Sequence, residues 1–331
     1  MTHEEVDWLL REESRQTVLK YLDERPERLA LRLGGGGALL ATQLKYLQRA
    51  RTKLPSYYRA RCILPPLAFE QASSEAVAAE KRYGGALCID LTCGLGVDSA
   101  HFSKSFDRVI AVERDPVTAR VAAVNFSLLG ISNIEVVNDS AEHFIESFSG
   151  TADLVYADPA RRGEGNRKVF RFEECSPDIV SLLPAIREKT SRVVVKASPL
   201  FDIDEAFRLF GDRITVDIVS RQGECKEVLI GVPSAPDAPA GSVRAVAAGC
   251  GSHSDGGTAS RRRRRISSRR TGICWCRTCR FARPVWYGNT LPGSDATPYR
   301  RAVTACRGRR PTGSSAGSTR SARWHSISRK S

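Results

Sequence analysis

Four acidic residues each stand at the end of a short apolar run. Asp90 follows ALCI, Glu113 follows RVIAV, Asp139 follows IEVV with Asn138 between, and Asp158 follows ADLVYA. An ionised carboxylate only accepts hydrogen bonds, so a row of them suits ribose hydroxyls, an amino group or a cation. The first acid opens directly into a turn, Leu91-Thr92-Cys93-Gly94-Leu95-Gly96, before Val97 and Asp98 start a helical stretch. Glycines lack Cβ and let a backbone approach a ligand closely, and the free N–H groups of the following helix then face it. The fourth acid begins Asp158-Pro159-Ala160-Arg161. One Asp after a strand is often just a helix N-cap. Four at successive strand ends, beside a glycine turn, would line one crevice of an open α/β sheet, which is the place for a nucleotide-type ligand.

The elements that must position these acids are legible in the periods of the chain. Strand-like runs fall at 86–91, 108–112, 134–137, 152–157, 192–196, 214–220 and 227–232, with helix-like stretches at 98–104, 116–129, 140–148, 176–188 and 203–210. Strand alternating with helix argues for a parallel sheet covered on both faces. Only RQGECK separates the last two runs, so they should form a hairpin and make one strand antiparallel. Residues 63–233 are therefore expected to form an α/β domain, opened at 65–82 by a turn and an Ala-rich helix. Upstream, residues 1–62 are expected as a small helical domain, with helices over 4–24 and from Leu39 to before Pro55, broken by the Gly34–Gly37 run. Residues 234–260 are Pro/Ala/Gly/Ser-rich, a linker composition. Residues 261–331 show neither period and few aliphatics, and are expected to be disordered.

Charge is distributed unevenly. The net charge is +14, but residues 261–331 alone hold eighteen Arg and one Lys against Asp295, which leaves about −4 for residues 1–260. The global basicity thus says little about what the body binds. Two local stretches say more. From Leu31 to Phe69 there is no acidic residue, while Arg32, Lys45, Arg49, Arg51, Lys53, Arg59 and Arg61 are interleaved with Tyr46, Tyr57 and Tyr58. This reads either as a solvated helix face or as a surface for phosphates and bases. After Asp158, the basic residues Arg161, Arg162, Arg167, Lys168 and Arg171 face only Glu164, again either a solvated loop or a phosphate-contacting one.

No run of about 18 apolar residues could span a membrane, and MTHEEVDWLLREE lacks the basic start and apolar core of a signal peptide. Cys62, Cys88, Cys93, Cys175 and Cys225 show no disulfide-framework spacing, which fits a reduced, cytoplasmic setting. Cys274, Cys276 and Cys279 with a distant Cys306 do not make a metal pattern, and no metal is expected. The abrupt loss of periodicity and of Lys, Asp and Glu marks the tail as an out-of-frame translation of a GC-rich gene, with an RNA-binding basic tail as the alternative.

Two features choose among nucleotide folds. Ser99 stands where the dinucleotide fingerprint wants its third Gly or Ala, and a nicotinamide site has no need of Asp158-Pro159-Ala160-Arg161. With DLTCGLGVDS, AVERDP, VVNDSAEHF and YADPARRG together, the chain resembles class I S-adenosylmethionine-dependent methyltransferases. It is most similar to those acting on RNA, including the cap guanine-N2 type with its D-x-x-C-G-x-G turn. The wider series KLPSYY, FEQASSEA, DLTCGLGVDS, DPARR and VVKASPL resembles the bacterial THUMP-like-domain-containing methyltransferases over roughly residues 25–232. Family members continue into small ferredoxin-like and THUMP-like domains, from which this chain departs after about residue 235.

The resemblance implies a doubly wound Rossmann-like methyltransferase sheet, an S-adenosylmethionine cofactor, and structured RNA (rRNA or tRNA) as the partner methylated at a base nitrogen; the alternatives are a methyltransferase of the same fold acting on a small molecule or protein, or a catalytically impaired cofactor- and RNA-binding protein. It implies that Asp90, Thr92, Gly94 and Gly96 hold the methionine portion, Glu113 the ribose, and Asp139 with Ser140 the adenine. Gln71, Ser73, Ser74 and Glu75 would close over the amino-acid end, Asp158 and Pro159 would face the acceptor, and Arg161, Arg162, Arg167, Lys168 and Lys196 would meet the RNA. Ala160 and Arg161 replace the aromatic usual in N-directed enzymes, so base stacking is expected from Tyr156, Phe170 or Phe172. DPAR is similar to the DPPR of uracil C5 methyltransferases, but those need a cysteine after the fifth strand, where this chain has Lys196-Ala197-Ser198-Pro199.

Overall fold

The structure, a computed structural model, describes residues 1–34, 37–161, 172–234 and 239–248. The expected disordered tail, Arg162, Arg167, Lys168 and Phe170 lie outside the described residues.

The sheet begins with β1 (Gly85–Asp90), β2 (Phe106–Val112), β3 (Ile134–Val137) and β4 (Leu154–Ala157). A short ladder of β5 (Ala160–Arg161) and β6 (Cys175–Ser176) follows, then β7 (Arg192–Ala197), β8 (Thr215–Arg221), β9 (Glu224–Pro233) and β10 (Ser242–Ala247). The main sheet runs β10-β8-β9-β7-β4-β1-β2-β3. All its pairings are parallel except those of β9 with β7 and with β8. The expected strands and the expected hairpin are therefore present. Gln222 and Gly223 both take positive φ in the hairpin turn, the geometry that matches strand twist.

Near-continuous apolar runs make the central strands, because parallel strands are covered on both faces. Alternate residues serve opposite layers. Ile89, Ile110, Val155, Val193, Val195 and Ile230 pack with α10 (Ala141–Ser147), α11 (Ile179–Lys189) and α12 (Ile203–Phe210). Cys88, Val109, Leu154, Tyr156, Val194 and Leu229 pack on the other face with Phe102 of α8 (Val97–Phe102) and Phe106. Short polar residues start the helices: Asp115 caps α9 (Pro116–Leu128), Ser140 caps α10, Asp178 caps α11 and Asp202 caps α12.

Two expectations gain detail here. The helices of residues 1–62 pack on one another and also cap the α/β body. They are α1 (His3–Leu10), α2 (Glu12–Lys20), α3 (Pro26–Leu33), α4 (Gly37–Lys53) and α5 (Pro55–Ala60), with an extra break at Arg11, whose ψ of 138° is non-helical. Val6, Leu29, Leu44 and Leu47 share one apolar cluster with Leu95, Val97 and Val121 of the α/β body. The backbone of residues 62–64 runs between two buried amides: Gln43 bonds Cys62 O and Leu64 N, while Asn125 bonds both backbone groups of Ile63. The second lies in the expected linker 234–260. Ser242–Ala247 forms β10, parallel to β8, because SVRAVA carries a local strand pattern that composition averaged over the whole span hides. The Ala-rich helix is likewise two short ones, α6 (Pro66–Gln71) and α7 (Glu75–Ala78).

Candidate active site

Sequential strands β1, β2 and β3 grow the sheet in one direction and β4 lies on the other side of β1, so the crevice forms where the order reverses. A cavity of about 900 Å³ opens there at the carboxyl ends of the strands. Asp90, Thr92, Gly94, Gly96, Glu113, Asp139 and Asp158 all line it, with Gln71, Ser73 and Lys196. The four strand-end acids thus meet in one crevice.

Hydrogen bonds knit the strand ends together. Thr92 N–H donates to Asp90 Oδ1 at 3.1 Å, and Thr92 Oγ1 accepts from Asp158 N–H at 2.6 Å, joining β1 to β4. Glu113 Oε2 accepts from Gly94 N–H at 2.8 Å and Oε1 from Asp115 N–H at 2.9 Å. Each oxygen keeps a further lone pair, so Glu113 braces the turn and can still accept hydroxyls. Asp90 is buried and accepts from Ser99 Oγ at 2.5 Å. Burial pushes its carboxyl up to about 7, with the Ser99 and Thr92 hydrogen bonds acting in the opposite direction. Asp139 contacts His143 Nδ1 at 2.6 Å, which lowers the Asp139 carboxyl and raises the His143 imidazole.

The two glycines of the turn do different things. Gly94 has φ +55°, and a Cβ there would meet nothing within 4 Å, so the crevice wall is open at that point for close approach. Gly96 has φ +81°, and a Cβ would lie 2.4 Å from Phe126 Cζ, so its smallness serves packing.

Several expected site residues are engaged elsewhere. Glu75 grips the start of α5 through Ser56 N–H at 2.7 Å and Ser56 Oγ at 3.0 Å, and Ser74 Oγ receives Arg221. Ser140 Oγ accepts from His143 N–H as the cap of α10. These three and Pro159 lie outside the crevice lining. Arg161 sits in β5 opposite Cys175. The expected stacking aromatics are core residues: Tyr156 and Phe172 are buried, packed on Phe102 and on Phe201 and Phe210 respectively. The basic 31–61 stretch is partly paired. Arg32 pairs with Glu24, Arg49 with Glu70 and Arg51 with Asp23, while Lys53 holds the carbonyls of Phe69 and Glu70.

Sequence reasoning missed a buried polar network behind the crevice. Lys81, fully buried, sits 3.0 Å from Asp98 Oδ1 and 2.5 Å from Glu227 Oε1, as ion pairs without aligned hydrogen bonds. Asp98 also accepts from Tyr156 Oη at 2.9 Å. Glu227 Oε2 accepts from Ser73 Oγ at 3.2 Å. Lys196 Nζ then bridges Ser73 Oγ at 3.2 Å and Asp158 Oδ2 at 2.5 Å. Burial pushes Glu227 up. It acts the same way on Asp98, but there the charges of Lys81 and Lys196 outweigh it and hold the carboxyl low. In the sequence Lys81 stands in Glu80-Lys81-Arg82 before β1, and Glu227 in the charged start of β9, Glu224-Cys225-Lys226-Glu227. Neither has a motif.

No protein-family model matches the chain. It is 30% identical over 166 residues to an uncharacterised S-adenosylmethionine-dependent methyltransferase of Mycobacterium tuberculosis, covering 49% of this chain and 44% of that one. It is 29% identical over 141 residues to a tRNA/tmRNA (uracil-C5)-methyltransferase of Saccharophagus degradans, covering 36% and 38%. The chain spans less than half the length of these curated relatives. A crystal structure from Porphyromonas gingivalis W83, provisionally described as a methyltransferase, superposes with a TM-score of 0.59 at 26% identity, over 71% of this chain and 61% of that one. In sequence and in fold, the chain is similar to S-adenosylmethionine-dependent methyltransferases, RNA-modifying ones among them.

Proposed function

We propose that this protein transfers a methyl group from S-adenosylmethionine to a base nitrogen of structured RNA. One observation carries the reading: four strand-end carboxylates converge on a crevice whose wall is open at Gly94, with Asp158 in it. The cofactor would bring a sulfonium whose methyl group is already activated. Glu113 would accept the ribose hydroxyls, Asp139 would lie at the adenine, and Gly94 would let the backbone approach the methionine portion, with buried Asp90 beneath the turn. Asp158 would accept an N–H of an exocyclic amine and so aim the nitrogen's lone pair, an alignment role rather than a covalent one.

Two features favour a nitrogen acceptor over the uracil C5 carbon. Covalent activation of uracil needs a thiolate. Cys93, the crevice cysteine among the described residues, is buried, and burial together with the Asp90 charge raises its thiol well above the ordinary range. The strand carrying the expected nucleophile position ends instead in Lys196 and Ala197. The RNA assignment rests on the RNA-modifying relatives and on the DPARR segment, and the THUMP-like relationship on KLPSYY, FEQASSEA and VVKASPL. A cytoplasmic location follows from the same reading.

Calorimetry with S-adenosylmethionine, followed by transfer of labelled methyl to bulk RNA from cells lacking the gene, tests this. Asp158→Ala should abolish transfer while leaving cofactor affinity within a few-fold. Cofactor binding without labelled RNA would overturn the RNA assignment, and transfer retained in the variant would overturn the role of Asp158.

A further inference from the structure

Lys196 is expected from the sequence to meet RNA, but its surroundings argue otherwise. The side chain is 13% exposed, and two of its three N–H donors already point at Asp158 Oδ2 and Ser73 Oγ. Ser73 is in turn bonded to Glu227, which pairs with buried Lys81, which pairs with Asp98. We propose that Lys196 is a positioning residue: its ammonium holds the Asp158 carboxylate in one orientation and ties it to Ser73 in the segment between α6 and α7.

The charges around it support a permanent cation. Asp158 directly follows β4, Asp98 comes from α8, Glu227 from β9 and Asp90 from β1, while the nearby cations are Lys81 and Lys53. Burial alone would favour a neutral amine at Lys196, but Asp158, Asp98 and Glu227 outweigh it and keep it protonated. A lysine held as a cation cannot take a proton from a substrate. It can orient one. With Oδ2 engaged by Lys196, Oδ1 is the oxygen left for an acceptor, and a carboxylate fixed in rotation aims an amine more narrowly than a freely rotating one. The same ammonium reaches Ser73 beside the crevice-lining Gln71, so acceptor orientation and the placement of the 71–74 segment depend on one group.

The kinetic part of this inference rests on the methyl-transfer reading, and the test separates the two. Lys196→Ala should lower kcat for RNA methylation by about a hundredfold, the scale of an ångström-sized misplacement. Affinity for S-adenosylmethionine should stay within a few-fold. n-Propylammonium should restore part of the lost rate, and n-propanol, of matching size without charge, should not. A merely structural lysine would show neither the kcat-only loss nor the charge-specific rescue. Hydrogen exchange of the peptide spanning 71–74, read without substrate, should accelerate several-fold in Lys196→Ala. Ser73→Ala, a milder change, should do the same if the first variant fails to fold. Wild-type protein that methylates no RNA sinks the functional reading alone, and the exchange experiment still decides the inference. Unchanged kcat, equal rescue by propanol, or unchanged exchange in both variants would overturn the role assigned to Lys196.

Discussion

Lys81→Met removes one ammonium from between two carboxylates. The Lys81 side chain is 0% exposed, Glu227 2% and Asp98 11%, with contacts of 2.5 and 3.0 Å. Methionine fills much of the volume but leaves two buried carboxylates facing one another. Breaking a buried pair by deleting one partner costs about 3–5 kcal/mol. At roughly 2–4 °C per kcal/mol for a body of this size, the melting temperature should fall by about 6–20 °C. The loss should depend on pH with a definite sign. Without Lys81 both carboxyls are pushed above their unfolded values, so the penalty is absent at low pH and grows as pH rises through those raised values. Urea denaturation at pH 5 and pH 8 should therefore show the larger deficit at pH 8. Glu227→Gln is the control. It leaves Lys81 with Asp98 as a counter-ion and removes a carboxyl whose charge burial disfavours, so it should cost less than Lys81→Met. A Lys81→Met deficit below that, or one of equal size at both pH values, would refute the reasoning.

Asp90→Asn should remove a pH-dependent strain from the crevice. The folded carboxyl is pushed up to about 7 from 3.8, so wild-type stability falls as pH rises through that window, by about 4 kcal/mol in total. The stability of the variant relative to wild type should grow across the same window and level off above it, which denaturation curves from pH 4 to 8 would show; parallel profiles would contradict it. The two turn glycines should separate stability from binding. Gly96→Ala meets Phe126 and should lose about 2–4 kcal/mol, whereas Gly94→Ala has room and should lose only about 1 kcal/mol of stability from its left-handed backbone while narrowing the cradle. Thermal denaturation with and without S-adenosylmethionine checks both.

The acids of the crevice were legible because each ends an apolar run, and strand ends on one side of a parallel sheet must converge. The hairpin was legible because six residues between two strands allow nothing longer. Ser99 shows the limit of motif reading. In the sequence it only broke a fingerprint, while in the fold its hydroxyl is the partner of buried Asp90. The basic 31–61 stretch shows the same limit in its charges. Its acidic partners, Asp23, Glu24 and Glu70, lie outside the window in which the charges were counted, and helix packing brings them in.

Local patterning thus determined the strands, most helix starts and the four carboxylates, since period, capping and turn chemistry act over a few residues. Tertiary structure alone decided which polar groups meet. Lys81, Asp98, Glu227, Ser73, Lys196 and Asp158 come from separate segments up to 154 residues apart along the chain, and no short-range pattern marks them. What brings them together is burial: once the sheet and helices close, each charge taken from water needs a partner, and the fold supplies it from across the sequence.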